Sequence, residues 1–174
     1  MHFSALVSSL TGMVHLASAV VAMATGLWVL VRPKGTRTHR RMGYVYAGAM
    51  AVLNLTAFLI YRLYGGFGIF HVFALLSIAT LTAGMYPVLT RKRPDYLLQH
   101  FNYMYWSVIG LYCAFMAETF TRLPAVVLDE AGRPMTVFYW FVGIGVGIVM
   151  LIGTLAYRRY SPVWTAQFGE AAQT

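Results

Sequence analysis

Five histidines, one cysteine and one carboxylate inside an apolar run are the groups in this 174-residue chain whose types suit ligand or proton chemistry. Four of the histidines fall into two pairs by context. His39 and His100 each close the same motif, Arg32-Pro33-x5-His39 and Arg93-Pro94-x5-His100, at a shift of 61 residues. A Tyr-x-Tyr follows each, Tyr44 and Tyr46, then Tyr103 and Tyr105, and an Arg-Leu closes each unit, Arg62-Leu63 and Arg122-Leu123. His15 and His71 lie in the outer parts of the apolar runs that precede those motifs. His2 is terminal and uninformative. Such doubling is what two parallel helix pairs, related by an axis along a membrane normal, leave in a sequence. It puts His15 and His71 in one layer of a bundle and His39 and His100 in another.

Imidazoles paired at two levels suit three chemistries. They can ligate b-type haem between facing helices, bind Zn²⁺ or Cu²⁺, or relay protons. For haem, His15, His39, His71 and His100 are the ligand candidates, with Asn54, Arg62 and Arg122 in supporting positions and Arg37, Arg40 and Arg41 available to propionates. For a metal ion or a proton path, the candidates are His15, His71 and Glu118. Glu118 is four residues before Arg122, so the two share a helix face and an ion pair is its simplest role. Cys113 is alone, which rules out an intrachain disulfide, C-x-x-C redox chemistry and C-x-x-C-H haem attachment; its apolar setting reads as core. No Ser/His/Asp set, phosphate loop or paired carboxylate is present to support hydrolysis, so an enzyme is not expected.

The elements that position these groups follow from composition. The chain is 59% hydrophobic and 10% charged, with a mean hydropathy of +0.65, whereas soluble domains carry about 25% charged residues. Five apolar runs, at about residues 8–31, 43–64, 68–90, 101–123 and 135–157, each approach the roughly 20 residues that a helix needs to cross a bilayer. The expected architecture is all-α and polytopic, with a single integral membrane domain over 1–174. Four helices form a core of two helix-pair repeats, the fifth is peripheral, and 158–174 is a cytoplasmic tail. Along the fourth run His100, Met104, Ser107, Leu111, Ala114 and Glu118 make one inward stripe. His39, Gly43, Tyr46, Met50, Asn54 and Tyr61 make its counterpart on the second, and His71 shares a stripe with Leu75, Ile78 and Thr82. Asn54 reads as interhelical glue. Gly143 and Gly147 form a G-x-x-x-G that points to close helix contact, within the bundle or between chains.

The net charge is +8, but its distribution speaks of topology rather than nucleic acid. Ten basic residues (Arg32, Lys34, Arg37, Arg40, Arg41, Arg91, Lys92, Arg93, Arg158, Arg159) fall on one side of the five runs, and Arg62, Arg122 and Arg133 on the other. The positive-inside rule places the ten in the cytoplasm, the N-terminus outside and the C-terminus inside an inner (plasma) membrane. No Lys or Arg precedes the first run, so a cleaved leader is not expected.

The segment KGTRTHRRMGYVYAGAMAVLNLTAFLIYRLYGGFGIFHVFALLSIATL, Lys34 to Leu81, resembles a family of bacterial predicted membrane proteins, domain of unknown function 2306. HFNYMYWSVIGLYCAFMAETFTR, His100 to Arg122, resembles that family's next block. The similarity covers roughly the first four runs, with H-R-R-x-G-Y its most specific part. It implies a multi-span inner-membrane protein and no particular activity. A fainter likeness, at the level of architecture alone, is to transmembrane di-haem cytochromes b. Electron carriage through haem b ranks first by a narrow margin, ahead of a metal or proton site and of a non-catalytic membrane subunit or assembly factor. The expected partners are the lipid bilayer and a homo-oligomer or larger membrane complex.

Overall fold

A computed structural model describes residues 10–60, 66–120 and 136–171, with side chains to residue 166. Among the described residues there are five helices and no strand: α1 (Leu10–Val31), α2 (Arg37–Ala57), α3 (Ile69–Thr90), α4 (Tyr96–Phe120) and α5 (Thr136–Ala171). Three of them, α1, α3 and Thr136–Ala166 of α5, are long and apolar enough to cross a membrane. α2 and α4 fall short on composition, because α2 opens with Arg37, Arg40 and Arg41 and α4 carries Gln99, His100, Asn102 and Glu118.

The chain divides into two compact units, Met1–Ile78 and Ala79–Thr174, and α3 runs unbroken through the boundary. In the first unit α1 packs along α2. Small residues of α1, namely Ser18, Ala19, Ala22, Thr25 and Gly26, are buried on this face, as are Tyr46, Met50, Leu53 and Asn54 of α2. In the second unit α5 packs along α4. Gly145 and Gly153 make it possible, since a Cβ there would stand 2.6 Å from the Phe120 ring and 2.9 Å from Ile109. Gly143 and Gly147, the G-x-x-x-G, face open space instead.

Three helices differ from their expected bounds: α4 begins at Tyr96 rather than near 101, and α2 and α5 differ for local reasons. α2 begins at Arg37 rather than near 43, so the basic segment is its first turn and not a loop. Thr36 is the N-cap, at φ −68° and ψ 162°, and its hydroxyl accepts from the His39 amide at 3.0 Å. Gly35, at φ 77°, supplies the left-handed residue that turns the chain into this cap. Lys34 Nζ donates to the carbonyls of Leu30 and Arg32, satisfying the end of α1. α2 then closes at Ala57 through two tight turns, Leu59 N to Thr56 O and Ile60 N to Ala57 O. The expected stretch from 61 to 64 lies outside the described residues.

α5 continues past Tyr157 to Ala171, so most of the expected tail is helix. At 1.5 Å per residue its 36 residues reach about 54 Å, well beyond a hydrocarbon core of about 30 Å. Pro162 lies inside it, at a cost of about 3 kcal/mol for an interior proline. An aromatic cluster within the second unit offsets that cost. Trp164 meets Phe101 edge-on at 5.5 Å and Tyr105 at 6.1 Å, and Tyr157 lies 5.2 Å from Tyr105 and 5.6 Å from Trp106. Such ring pairs contribute about 0.5–1.5 kcal/mol each.

Candidate functional site

Three of the four histidines have a ring hydrogen bond that sets which nitrogen holds the proton. His15, half-buried on α1, places Nδ1 2.9 Å from Thr56 Oγ1 on α2. The Thr56 hydroxyl has one proton, and the Val52 and Leu53 carbonyls take it at 2.8 and 2.9 Å. Its oxygen therefore accepts and His15 Nδ1 donates. His100 on α4 reaches the same state more simply. Its Nδ1 lies 2.7 Å from the Gly84 carbonyl of α3, which can only accept. Gly84 permits this approach, because a Cβ there would lie 2.6 Å from Met104 Sδ and 3.2 Å from the Met104 backbone nitrogen.

His71 is set the other way. Its Nδ1 accepts from the Gly68 amide at 3.0 Å, so the neutral ring carries its proton on the buried Nε2. The ring closes the first turn of α3 and stacks on Phe67 with centroids 4.9 Å apart. Only 3% of His71 is exposed. Its buried neighbour on α3 is Ala74, whereas Leu75, Ile78 and Thr82, which share its stripe by helical spacing, are exposed. His39 sits in the first turn of α2, with its amide given to the Thr36 cap.

The other two stripes face inward as expected, with Tyr46, Met50 and Asn54 buried on α2 and Met104, Ser107 and Leu111 buried on α4. Asn54 is 3% exposed, and its Nδ2 has no hydrogen-bond partner among the described residues. The expected interhelical bond is therefore absent there. His15, His39 and His71 belong to the first unit, and His100 and Glu118 to the second. Among the described residues no three His, Cys, Asp or Glu side chains cluster as a metal ion would require. Arg62 and Arg122 lie outside the described residues.

Sequence reasoning missed the polar links between α4 and α5. Tyr105 Oη donates to the Gly153 carbonyl at 2.6 Å and Tyr157 Oη to Asn102 Oδ1 at 2.7 Å. The partners stand 48 and 55 residues apart, so no local pattern marks them. Tyr105 belongs to the repeated Tyr-x-Tyr, and its burial at 3% exposure gives that motif a packing role.

Long apolar helices joined by basic turns define a helical integral membrane protein. The family model described as predicted membrane protein (DUF2306) matches residues 12–155, and the chain belongs to that family. No curated protein and no solved structure matches it.

Proposed function

We propose that this membrane protein crosses the inner membrane five times, N-terminus outside and C-terminus in the cytoplasm, and carries electrons through b-type haem. The observation that supports haem is the state of His15 and His100. A ligating imidazole gives its second N–H to an oxygen acceptor, which fixes the ring and leaves a lone pair for the metal. Both rings have the first half of that arrangement, Nδ1 set against an oxygen of Thr56 or Gly84, and His100 carries the argument further because the Gly84 carbonyl can only accept. His39 and His71 are the remaining ligand candidates. His71 must release Gly68 and move its proton to Nδ1 before Nε2 can ligate. The haem would supply the one-electron couple; the chain holds and orients it, with Arg40 placed for a propionate.

The same His71 bond supports a second reading. A histidine that closes a helix turn and stacks on Phe67 has a structural role already, as expected of a non-catalytic subunit or assembly factor.

The absorption spectrum of protein made with ample haem and metal supply separates the readings. Haem gives a Soret band and sharp reduced bands; His100→Ala removes about half of the absorbance if two hemes share four ligands, and His15→Ala the other half. A zinc or copper site gives metal content that falls with His15→Ala or Glu118→Ala and ignores His100→Ala. Colourless, metal-free protein leaves the subunit reading.

A further inference from the structure

The first unit carries charge that nothing in its own sequence balances. Residues 1–78 contain six basic side chains (Arg32, Lys34, Arg37, Arg40, Arg41, Arg62) and no Asp or Glu. Lys34 is held by two backbone carbonyls. Arg37, Arg40 and Arg41 stand exposed on the first turns of α2.

Two of these arginines continue the wall of a groove. Between α1 and α2 lies an open groove of about 430 Å³, walled by Val14, Ala17 and Val21 of α1 and Val45, Gly48 and Val52 of α2. Positions 37, 41, 45, 48 and 52 follow helical spacing along a single face, so Arg37 and Arg41 stand where that wall ends. The groove itself is apolar. Its one hydroxyl, Ser18 Oγ, is turned onto the Val14 and His15 carbonyls at 2.6 and 2.9 Å. From Arg41 to Val52 the helix rises about 16 Å, a length suited to a hydrocarbon chain. Gly48 keeps the floor low, with nothing within 4 Å of where its Cβ would be.

We propose that this groove is a binding site for an anionic phospholipid, one acyl chain lying between α1 and α2 and the phosphate held by Arg37 and Arg41. The apolar wall selects a lipid tail, and the carboxylate-free basic end selects a negative head group. Guanidinium groups bind phosphate oxygens in a planar, two-pronged geometry that suits this contact.

The test uses the full chain in detergent, relipidated with phosphatidylglycerol or phosphatidylcholine, with retained phospholipid counted by native mass spectrometry. Retention should favour phosphatidylglycerol by about tenfold or more, given roughly 1 kcal/mol per basic residue at the surface. The pair Arg37→Gln/Arg41→Gln should bring the two lipids level, while Arg158→Gln/Arg159→Gln should leave the preference intact. Gly48→Leu fills the groove from α2 and Val21→Trp from α1; each should abolish retention without lowering the lipid-free unfolding temperature. A filler that does lower it is set aside in favour of the other. The proposal is overturned if the Arg37/Arg41 pair keeps its preference, or if the Arg158/Arg159 pair loses it equally, which would show only a general charge effect. It is also overturned if a folded filler still retains lipid, or if its sole effect is to split a dimer, in which case the groove holds a second copy of the chain.

Discussion

Two glycines set opposite expectations for the same substitution. Gly84→Ala places a methyl 2.6 Å from Met104 Sδ and 3.2 Å from its backbone nitrogen, at the crossing where His100 Nδ1 meets the Gly84 carbonyl. Overpacking of this kind costs about 1–3 kcal/mol, so Gly84→Ala should lower the unfolding temperature in detergent and weaken whatever His100 binds. Gly48→Ala adds a methyl in open space on a helix interior. It should raise stability by about 0.5–1 kcal/mol, through the lost backbone freedom of glycine. Equal destabilisation by both would refute the α3–α4 contact. The histidines themselves were legible in the sequence, because motif spacing survives without coordinates. Their proton positions were not. Thr56 is 41 residues from His15 and Gly84 is 16 from His100. By contrast, Gly68 is only three residues from His71, yet a backbone amide leaves no mark in residue type.

Helix existence was read correctly and helix ends less so, for reasons of capping and packing. The charge of Arg37, Arg40 and Arg41 suggested a loop, but Thr36 caps the turn that carries them. A similar device opens α4. Gln99 Nε2 donates to Asp95 Oδ2 at 2.8 Å and Arg93 Nε lies 3.3 Å from Oδ1; with Gln99 the larger cause, they hold the Asp95 carboxyl below the usual carboxylate range. A lowered folded-state pKa stabilises the fold above the ordinary aspartate value, and that contribution is lost as pH falls through the lowered one. Titration of the Asp95 carboxyl by NMR should show this midpoint below that of a free aspartate, and Gln99→Ala should move it back up. At the other end of the pair, the reach of α5 beyond Pro162 depends on Trp164 meeting Phe101 and Tyr105. Trp164→Ala should therefore speed amide exchange in residues 158–171 while leaving 136–150 protected. Uniform exchange along the whole helix would show that the aromatic cluster does not hold the extension. The extension was not legible in the sequence, because the partners that hold it lie some 60 residues away.

Two topologies share the same termini, and one short turn separates them. On composition alone α1, α3 and α5 qualify as spans and α2 and α4 do not. If only three helices cross, α2 and α4 lie along the surfaces, and the N-terminus is still outside and the C-terminus still inside. A reporter after Thr174 would read as cytoplasmic in both cases, and one between Pro124 and Pro134 as periplasmic in both. The turn between α3 and α4 differs. Five spans put Arg91, Lys92 and Arg93 in the cytoplasm, whereas three spans expose them outside. The positive-inside rule disfavours three adjacent basic residues on the outer face. α2 and α4 also have inward stripes of the kind a buried span needs, with Tyr46, Met50 and Asn54 on one and Met104, Ser107 and Leu111 on the other. Cys113 is the only cysteine, so Cys113→Ala provides a background in which Lys92→Cys carries the single thiol. An impermeant maleimide added to intact cells should leave that thiol unlabelled until the membrane is opened, and should label a cysteine at Phe67 from outside. Labelling at position 92 in intact cells, with protection at 67, would establish three spans and place His100 at the outer surface, far from the layer that haem ligation with His39 requires.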